Sequence, residues 1–313
     1  MRNEYIADDI VFLQARWPSA NSCLLMSDPP VLVDTGYHTE LSALEAALAA
    51  YGIELRDIGL IINTHSHSDH IGGNSALQAG SDAPIAMHEY EGRPINQGDW
   101  WITGVRYLQQ EAPSFRVARY LHDGEVLQFG KLRLEVLHVP GHSSGSVALY
   151  ERSRETLIVG DVFHANDVGW INPPIEGAMA VHTARQSIER LRQLPIRRAY
   201  SGHGPALTNV AESAQAAIER IESFIADPRR MALHAMKRIY VFALMIHGGI
   251  ADDEIVAYLL KTLWFPEYCV RYFDNESLEA VADRLRDELL SSVAIALRNG
   301  RLISTALDLT ASV

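Results

Sequence analysis

Thr64-His65-Ser66-His67-Ser68-Asp69-His70-Ile71-Gly72-Gly73 carries three imidazoles and a carboxylate between residues 65 and 70. Neutral imidazole and carboxylate are the donors that borderline divalent metals prefer. The run before it, Gly59-Leu60-Ile61-Ile62-Asn63, is apolar and of strand length, and Gly72-Gly73 is loop chemistry. The donors are therefore expected on a turn at a strand end, where alternate side chains converge. With 13 histidines in 313 residues, a run of this kind arises by chance in roughly one such chain in a thousand. A metal-binding turn is accordingly preferred to a plain polar one.

Working outward, the chain is long enough for one large domain or a domain with an appendage. Hydrophobic residues make up 48%, which supports a sizeable core. Lys plus Arg is 27 against 39 Asp plus Glu, a net charge of −12. That balance argues against a large nucleic-acid footprint, which needs clustered cations. Two well-separated cysteines, Cys23 and Cys269, exclude a disulfide framework, so a reducing, cytoplasmic setting is expected. No leader pattern stands at the N-terminus, and the longest apolar run, Ile239 to Ile246, is too short for a membrane span.

Upstream of the histidine run, residues 10–13, 22–26 and 31–33 read as strands, and the third ends in Asp34-Thr35-Gly36. Asp34 suits either a plain turn or a carboxylate that accepts an N–H from a metal-bound histidine and fixes its tautomer. A helix is expected over 38–51, a short one over 73–79 and a strand over 84–87. Residues 89–120 break the rhythm with Pro94, Gly98, Gly104 and Pro113 and are aromatic. They read either as helices covering a sheet or as a lid whose Trp100, Trp101 and Tyr107 wall an apolar substrate pocket. Arg93 and Arg106 there suit an anionic substrate or surface ion pairs.

Downstream, strands are expected at 126–129, 131–139, 146–150 and 156–160, with a helix over 180–194. His142, Asp161 and His203 each follow one of the later apolar runs and are flanked by glycine. With His65, His67, Asp69 and His70 they form a set of strand-end donors able to meet along one sheet edge. His164, with Asp167 and Trp170, is a candidate for lining the pocket. His138 is read as structural; His38, His88, His122, His182, His234 and His247 as surface or capping residues. Beyond 206 the strand signal stops. Helices are expected at 209–226, 228–246, 251–263 and 276–298, then a small strand at 301–304.

Asp34-Thr35-Gly36, the His-x-His-x-Asp-His run at 65–70, Gly141-His142, Gly160-Asp161 and Gly202-His203-Gly204 come in the order and spacing of the metallo-β-lactamase superfamily, which the chain resembles over about residues 10–205. The resemblance implies an α/β fold, an αββα sandwich, with a binuclear metal site between its sheets. It implies His65, His67 and His142 as ligands of one metal, Asp69, His70 and His203 of a second, Asp161 bridging both and Asp34 behind them. Two divalent ions are expected, zinc in the first place, with iron and manganese also suited. The set is similar to that of glyoxalase II, the lactonases and the lactamase-B2-like hydrolases. Residues 1–206 would form the catalytic domain, with the lid at about 89–120. Residues 207–313 would form a helical, winged-helix-like module, as in the lactamase-B2-like branch.

The expected activity is hydrolysis of an ester, thioester or lactone with an apolar acyl part, with Asp69 and Asp161 as the carboxylates able to steer protons. Competing readings are a metal-dependent nuclease or phosphodiesterase, a mononuclear iron sulfur dioxygenase, and a non-catalytic binding protein. The partner expected is a small-molecule substrate, with neither nucleic acid nor membrane. The apolar residues of the tail suit its own core or a homodimer.

Overall fold

The computed structural model describes residues 1–7 and 9–307. The last six residues of the expected 207–313 module lie outside the described residues.

Short apolar runs in the N-terminal half build the first sheet. Strands β1 (Arg2–Ala7), β2 (Ile10–Gln14), β3 (Ser22–Leu25), β4 (Val31–Val33), β5 (Leu60–Ile62), β6 (Ile85–His88) and β7 (Val117–Leu121) pair in that order, antiparallel as far as β4 and parallel beyond. Successive side chains leave opposite faces. Ile10, Phe12, Cys23, Leu25, Val31, Val33 and Ile62 face the second sheet, while Val11, Leu13, Leu24, Leu32 and Ile61 face helices outside. Both faces are covered, which is why these strands read as continuous apolar runs. The outer cover comes from α1 (Leu41–Ala49) and α3 (Asn74–Ser81), with α2 (Ser68–Ile71) between them, and from α4 (Glu89–Asn96).

The second sheet runs β12-β11-β10-β9-β8 and is built of β8 (Val126–Phe129), β9 (Leu132–His138), β10 (Val147–Glu151), β11 (Thr156–Gly160) and β12 (Arg198–Ser201). Val147, Leu149 and Ile158 point inward; Ala148, Tyr150, Leu157 and Val159 point outward. The outward residues share one apolar cluster with α7 (Ala180–Arg192) and α8 (Val210–Ala226). Helices, two sheets and helices again make the αββα sandwich.

The remaining helices, α9 (Pro228–Ile246), α10 (Ile255–Lys261), α11 (Trp264–Tyr272) and α12 (Leu278–Ser291), surround Trp264, Phe265 and Tyr268, which are wholly buried. Two short helices that precede them in the chain, α5 (Val105–Leu108) and α6 (Pro173–Glu176), send Tyr107, Leu108 and Ile175 into the same cluster. A small sheet closes the tail: β13 (Ile250–Ala251), β14 (Ile295–Arg298) and β15 (Arg301–Ser304), in the order β13-β15-β14. Among the described residues, no helix is long and apolar enough to cross a membrane.

Three elements differ from expectation. The helix expected over 276–298 ends at Ser291, because Asn299 and Gly300 take left-handed φ values of 51° and 74° and join β14 to β15 as a hairpin. Asn-Gly between alternating apolar residues is a strong hairpin signal, and its local turn outweighs helical spacing. The helix expected over 251–263 is the shorter α10, and α11 follows it where none was expected. Pro266 sits in the first turn of α11, where its missing N–H costs nothing. The stretch 89–120 also ends in β7, which hydrogen-bonds to β6 as a sheet edge. Alternation over five residues, interrupted by Arg119, was too weak to mark it.

Candidate metal centre

The donors converge because every ligand-bearing loop leaves the same edge of the sandwich. Backbone hydrogen bonds lace those loops together: Thr35 N to His70 O at 2.8 Å, Val147 N to Thr64 O at 2.8 Å, Gly202 N to Gly160 O at 2.9 Å and Ala20 N to Asp69 O at 3.1 Å. Asp34 leaves β4 with φ 58°, a left-handed conformation that aspartate tolerates better than most residues. Its carboxylate then accepts from Thr64 N at 2.8 Å, Thr64 Oγ1 at 2.7 Å and His70 Nδ1 at 2.8 Å.

That last bond fixes the His70 tautomer and leaves its buried Nε2 without a hydrogen-bond partner, 3.5 Å from Asp161 Oδ1. His142 is set the same way. Its Nδ1 donates to the Trp170 carbonyl at 2.7 Å, so its Nε2 is left as a bare lone pair 3.2 Å from His65 Nε2. His67 Nδ1 stands 3.0 Å from the same His65 nitrogen.

Two neighbouring donor groups result. His65, His67 and His142 form one, and Asp69, His70 and His203 the other; a third combination, His65, His70 and Asp161, spans them, and in each the donor atoms lie within 4.8 Å of one another. Asp161 lies between, with Oδ2 3.9 Å from His142 Nε2 and 3.4 Å from His203 Nε2. Asp69 Oδ2 is 3.1 Å from His203 Nε2.

The electrostatics of the groups differ. Burial, then the neighbouring imidazoles, holds His65 well below the usual histidine range. Burial takes His67 down to about 3 and lowers His142 as well. These three are neutral at pH 7 and offer lone pairs. His70 and His203 feel the same burial, but Asp34, Asp161 and Asp69 outweigh it; His70 is raised well above 6.5 and His203 to about 9. Burial would raise Asp69 and Asp161, yet the facing histidines keep both ionised. Lone pairs that face one another, an orphaned His70 Nε2 and an orphaned Asp161 Oδ1 together suit cations of the borderline divalent class.

The other expected residues separate into two sets. Trp170 stacks on His67 with centroids 5.3 Å apart and planes at 19°. His164 Nδ1 lies 2.5 Å from Ser201 Oγ, and its ring is 5.9 Å from that of His203. Trp100 packs edge-on against Phe115 in the outer-face cluster, and Tyr107 is buried with the tail, so both are used in packing. Trp101 is exposed and touches Tyr107. Arg93 pairs with Glu89 at 3.0 Å and covers the Tyr120 ring. His138 stacks on His88 at 3.9 Å, and His88 caps α4 through the Tyr90 N–H.

Trp17 was not foreseen. Its ring stacks on His203 at 3.9 Å and 7°. It also lines a 440 Å³ cleft with Arg16, Tyr37, His38, Gln109 and, from the end of α9, Met245. A tryptophan ahead of a proline in a loop carries no chemical signal in sequence; only the fold shows its place.

Behind the first donor group, α4 inserts Glu91, which is fully buried and accepts from Gly145 N at 3.3 Å. Burial raises its pKa from 4.5 to about 7, against hydrogen bonding from Ser143, Gly145 and Ser66. Between those two values the folded protein keeps a proton that the unfolded chain has lost. Stability therefore falls as pH rises through that window. Glu91→Gln has no such proton, so its denaturant midpoint is expected to fall less between pH 5 and 8, the difference approaching about 3 kcal/mol. An identical pH slope in the two proteins would show that Glu91 is not the group involved.

The family model described as Metallo-beta-lactamase superfamily matches residues 16–203, which include every one of these donors. The chain belongs to the metallo-β-lactamase superfamily. A bovine relative named acyl-coenzyme A thioesterase MBLAC2 is 28% identical over 229 residues, 63% of this chain and 79% of that protein. The hydroxyacylglutathione hydrolase of Methylococcus capsulatus is 31% identical over 159 residues, 49% of this chain and 53% of its own. Among solved structures, a metallo-β-lactamase family protein from Thermus thermophilus has a TM-score of 0.61 at 22% identity, covering 96% of this chain and 100% of that one. This last likeness shows the fold, tail included.

Proposed function

We propose that this chain is a binuclear metal-dependent thioesterase acting on a small molecule with an apolar acyl part. The observation that carries it is Asp161 lying between two groups of three donors, one built of neutral imidazoles and one holding Asp69. His65, His67 and His142 would hold one divalent ion and Asp69, His70 and His203 the other, with Asp161 touching both. Such ions supply a water whose pKa falls from about 15.7 toward neutrality and a charge that polarises a carbonyl.

The chain's own side chains do the rest. Asp34 and the Trp170 carbonyl hold His70 and His142 in the tautomers that present Nε2. Asp69, kept ionised, would accept the proton that the attacking water gives up and pass it to the departing sulfur. Trp17, Tyr37 and Met245 would supply the apolar surface for an acyl group in the cleft, among polar neighbours that include His38, Glu40 and Glu111, and Trp17 joins the cleft to His203. In this reading residues 1–206 carry the chemistry, and 207–313 close the cleft through the end of α9. The two relatives named for thioester hydrolysis favour a thioester over a lactone. A net charge of −12 disfavours a polynucleotide.

The test is turnover of acyl thioesters, simple esters and lactones by the purified chain before and after chelation. Thioester hydrolysis is expected to lead, to vanish with chelator and to return with zinc, iron or manganese. Hydrolysis that survives complete metal removal would overturn the proposal.

A further inference from the structure

The family match ends at residue 203, so it says nothing of what the helices from α8 onward do for the metal centre. The loop from Asp161 to Asn172 connects the two. It folds back tightly: His164 N donates to Asp167 O at 2.8 Å, and Phe163 bridges Val168. Gly169 runs so close to its start that a Cβ there would lie 1.7 Å from the Asp161 carbonyl oxygen. The far end touches the first donor group twice, through the Trp170 carbonyl on His142 Nδ1 and the Trp170 ring on His67. Where this loop sits therefore decides where two of the three imidazoles point.

The contacts that fix it come from the tail. The Asp167 carboxylate ion-pairs with Arg238 of α9, accepts from His234 Nε2 of α9 at 3.2 Å to each oxygen, and lies 3.4 Å from Arg220 Nε of α8. Within its own loop that carboxylate receives the Val168 N–H at 2.9 Å. Five residues on, Asn172 Oδ1 accepts from the buried Tyr268 hydroxyl of α11 at 2.9 Å. Trp170 and Ile175 pack on the tail's apolar cluster. The loop is thus gripped at its middle, Asp167, and at its far end, Asn172, by helices outside the family match. Charge-assisted bonds to one half-buried carboxylate are the strong, directional kind suited to that task.

We infer that Asp167, His234 and Arg238 are positioning residues: a clamp through which the C-terminal helices set the loop after Asp161 and, by way of Trp170, aim the His142 and His67 nitrogens at their metal. The inference rests on the metal reading above and is tested apart from any substrate. Full-length protein is stripped and titrated with cobalt(II), following affinity, stoichiometry and the visible d–d spectrum. Asp167→Asn and Arg238→Gln are each expected to weaken cobalt binding by roughly 10- to 100-fold and to alter the spectrum, while Arg238→Lys, which keeps the charge, restores part of the loss. Asp252→Asn breaks the 2.6 Å pair with Arg286 inside the tail. It is expected to lower the melting temperature and leave cobalt affinity and spectrum unchanged.

Asp167→Asn and Arg238→Gln proteins that bind cobalt with wild-type affinity and spectrum would overturn the clamp. So would Asp252→Asn changing the spectrum as much as they do. Should Asp167→Asn fail to fold, the comparison of Arg238→Gln with Arg238→Lys decides. A wild-type chain that takes up no cobalt would overturn the metal reading itself, and the clamp with it.

Discussion

Asp161→Asn is expected to lower kcat/KM by about 10³ or more and to leave the purified protein short of metal, with the fold intact. The reason is charge in a dry place. At an effective dielectric of about 20, two unit charges 4 Å apart interact by about 4 kcal/mol, a factor of about 10³, and a divalent ion feels more. Asparagine keeps the shape of Asp161 but not its charge, and it removes a carboxylate that lies within 4 Å of imidazoles from both donor groups, His142 and His203. The metal-free protein offers a second readout. Burial lowers the His203 pKa, and Asp161 is the largest influence raising it to about 9. In the Asn variant His203 should titrate closer to neutrality, which histidine NMR resolves. The measurement is metal content per chain with kcat/KM and circular dichroism. Near-normal metal content and turnover in a folded Asp161→Asn protein would remove Asp161 from the centre.

The donors were legible because metal chemistry restricts residue type. Few reasons other than a ligand set place three histidines and an aspartate between residues 65 and 70 behind a buried strand, and His142, Asp161 and His203 repeat the pattern of apolar run, donor and glycine. The sandwich was legible for a related reason: strands covered on both faces are apolar throughout. What escaped is what depends on distant contacts. Trp17 is separated by 186 residues, the difference between positions 203 and 17, from the ring it stacks on, and nothing local marks it. His234, expected at the surface, is drawn in by Asp167 from another part of the chain. Trp100 and Tyr107 show the converse. Aromatic residues in an irregular stretch suit a pocket wall or a packing surface equally, and only the neighbouring elements decide. The Asn299-Gly300 hairpin is different, because its turn signal is local and outweighs the helical spacing before it.

Gly202→Ala tests the convergence of the donors without touching any of them. A Cβ on Gly202 would lie 2.1 Å from Asp161 Oδ1 and 2.7 Å from His70 Cε1, closer than real Cβ contacts allow. Glycine is required here by space: Gly202 precedes His203, and its backbone lies against the carboxylate between the two donor groups. The backbone cannot retreat, because Gly202 N donates to Gly160 O at 2.9 Å and its carbonyl accepts from Asn21 N at 2.7 Å. Asp161 is the group that must move, and His70 is held from behind by Asp34 at 2.8 Å. Displacing a reacting group by about 1 Å costs on the order of 10²-fold in rate, so Gly202→Ala is expected to lose at least that much kcat/KM. Metal affinity should fall with it, while the two sheets stay folded. Gly80→Ala is the matched control, since a Cβ there meets nothing within 4 Å. It adds the same methyl inside α3 and should leave activity unchanged. Full activity in Gly202→Ala would mean that the Asp161 carboxylate does not occupy the volume beside Gly202 in the working enzyme, and its place between the two donor groups would fail with it.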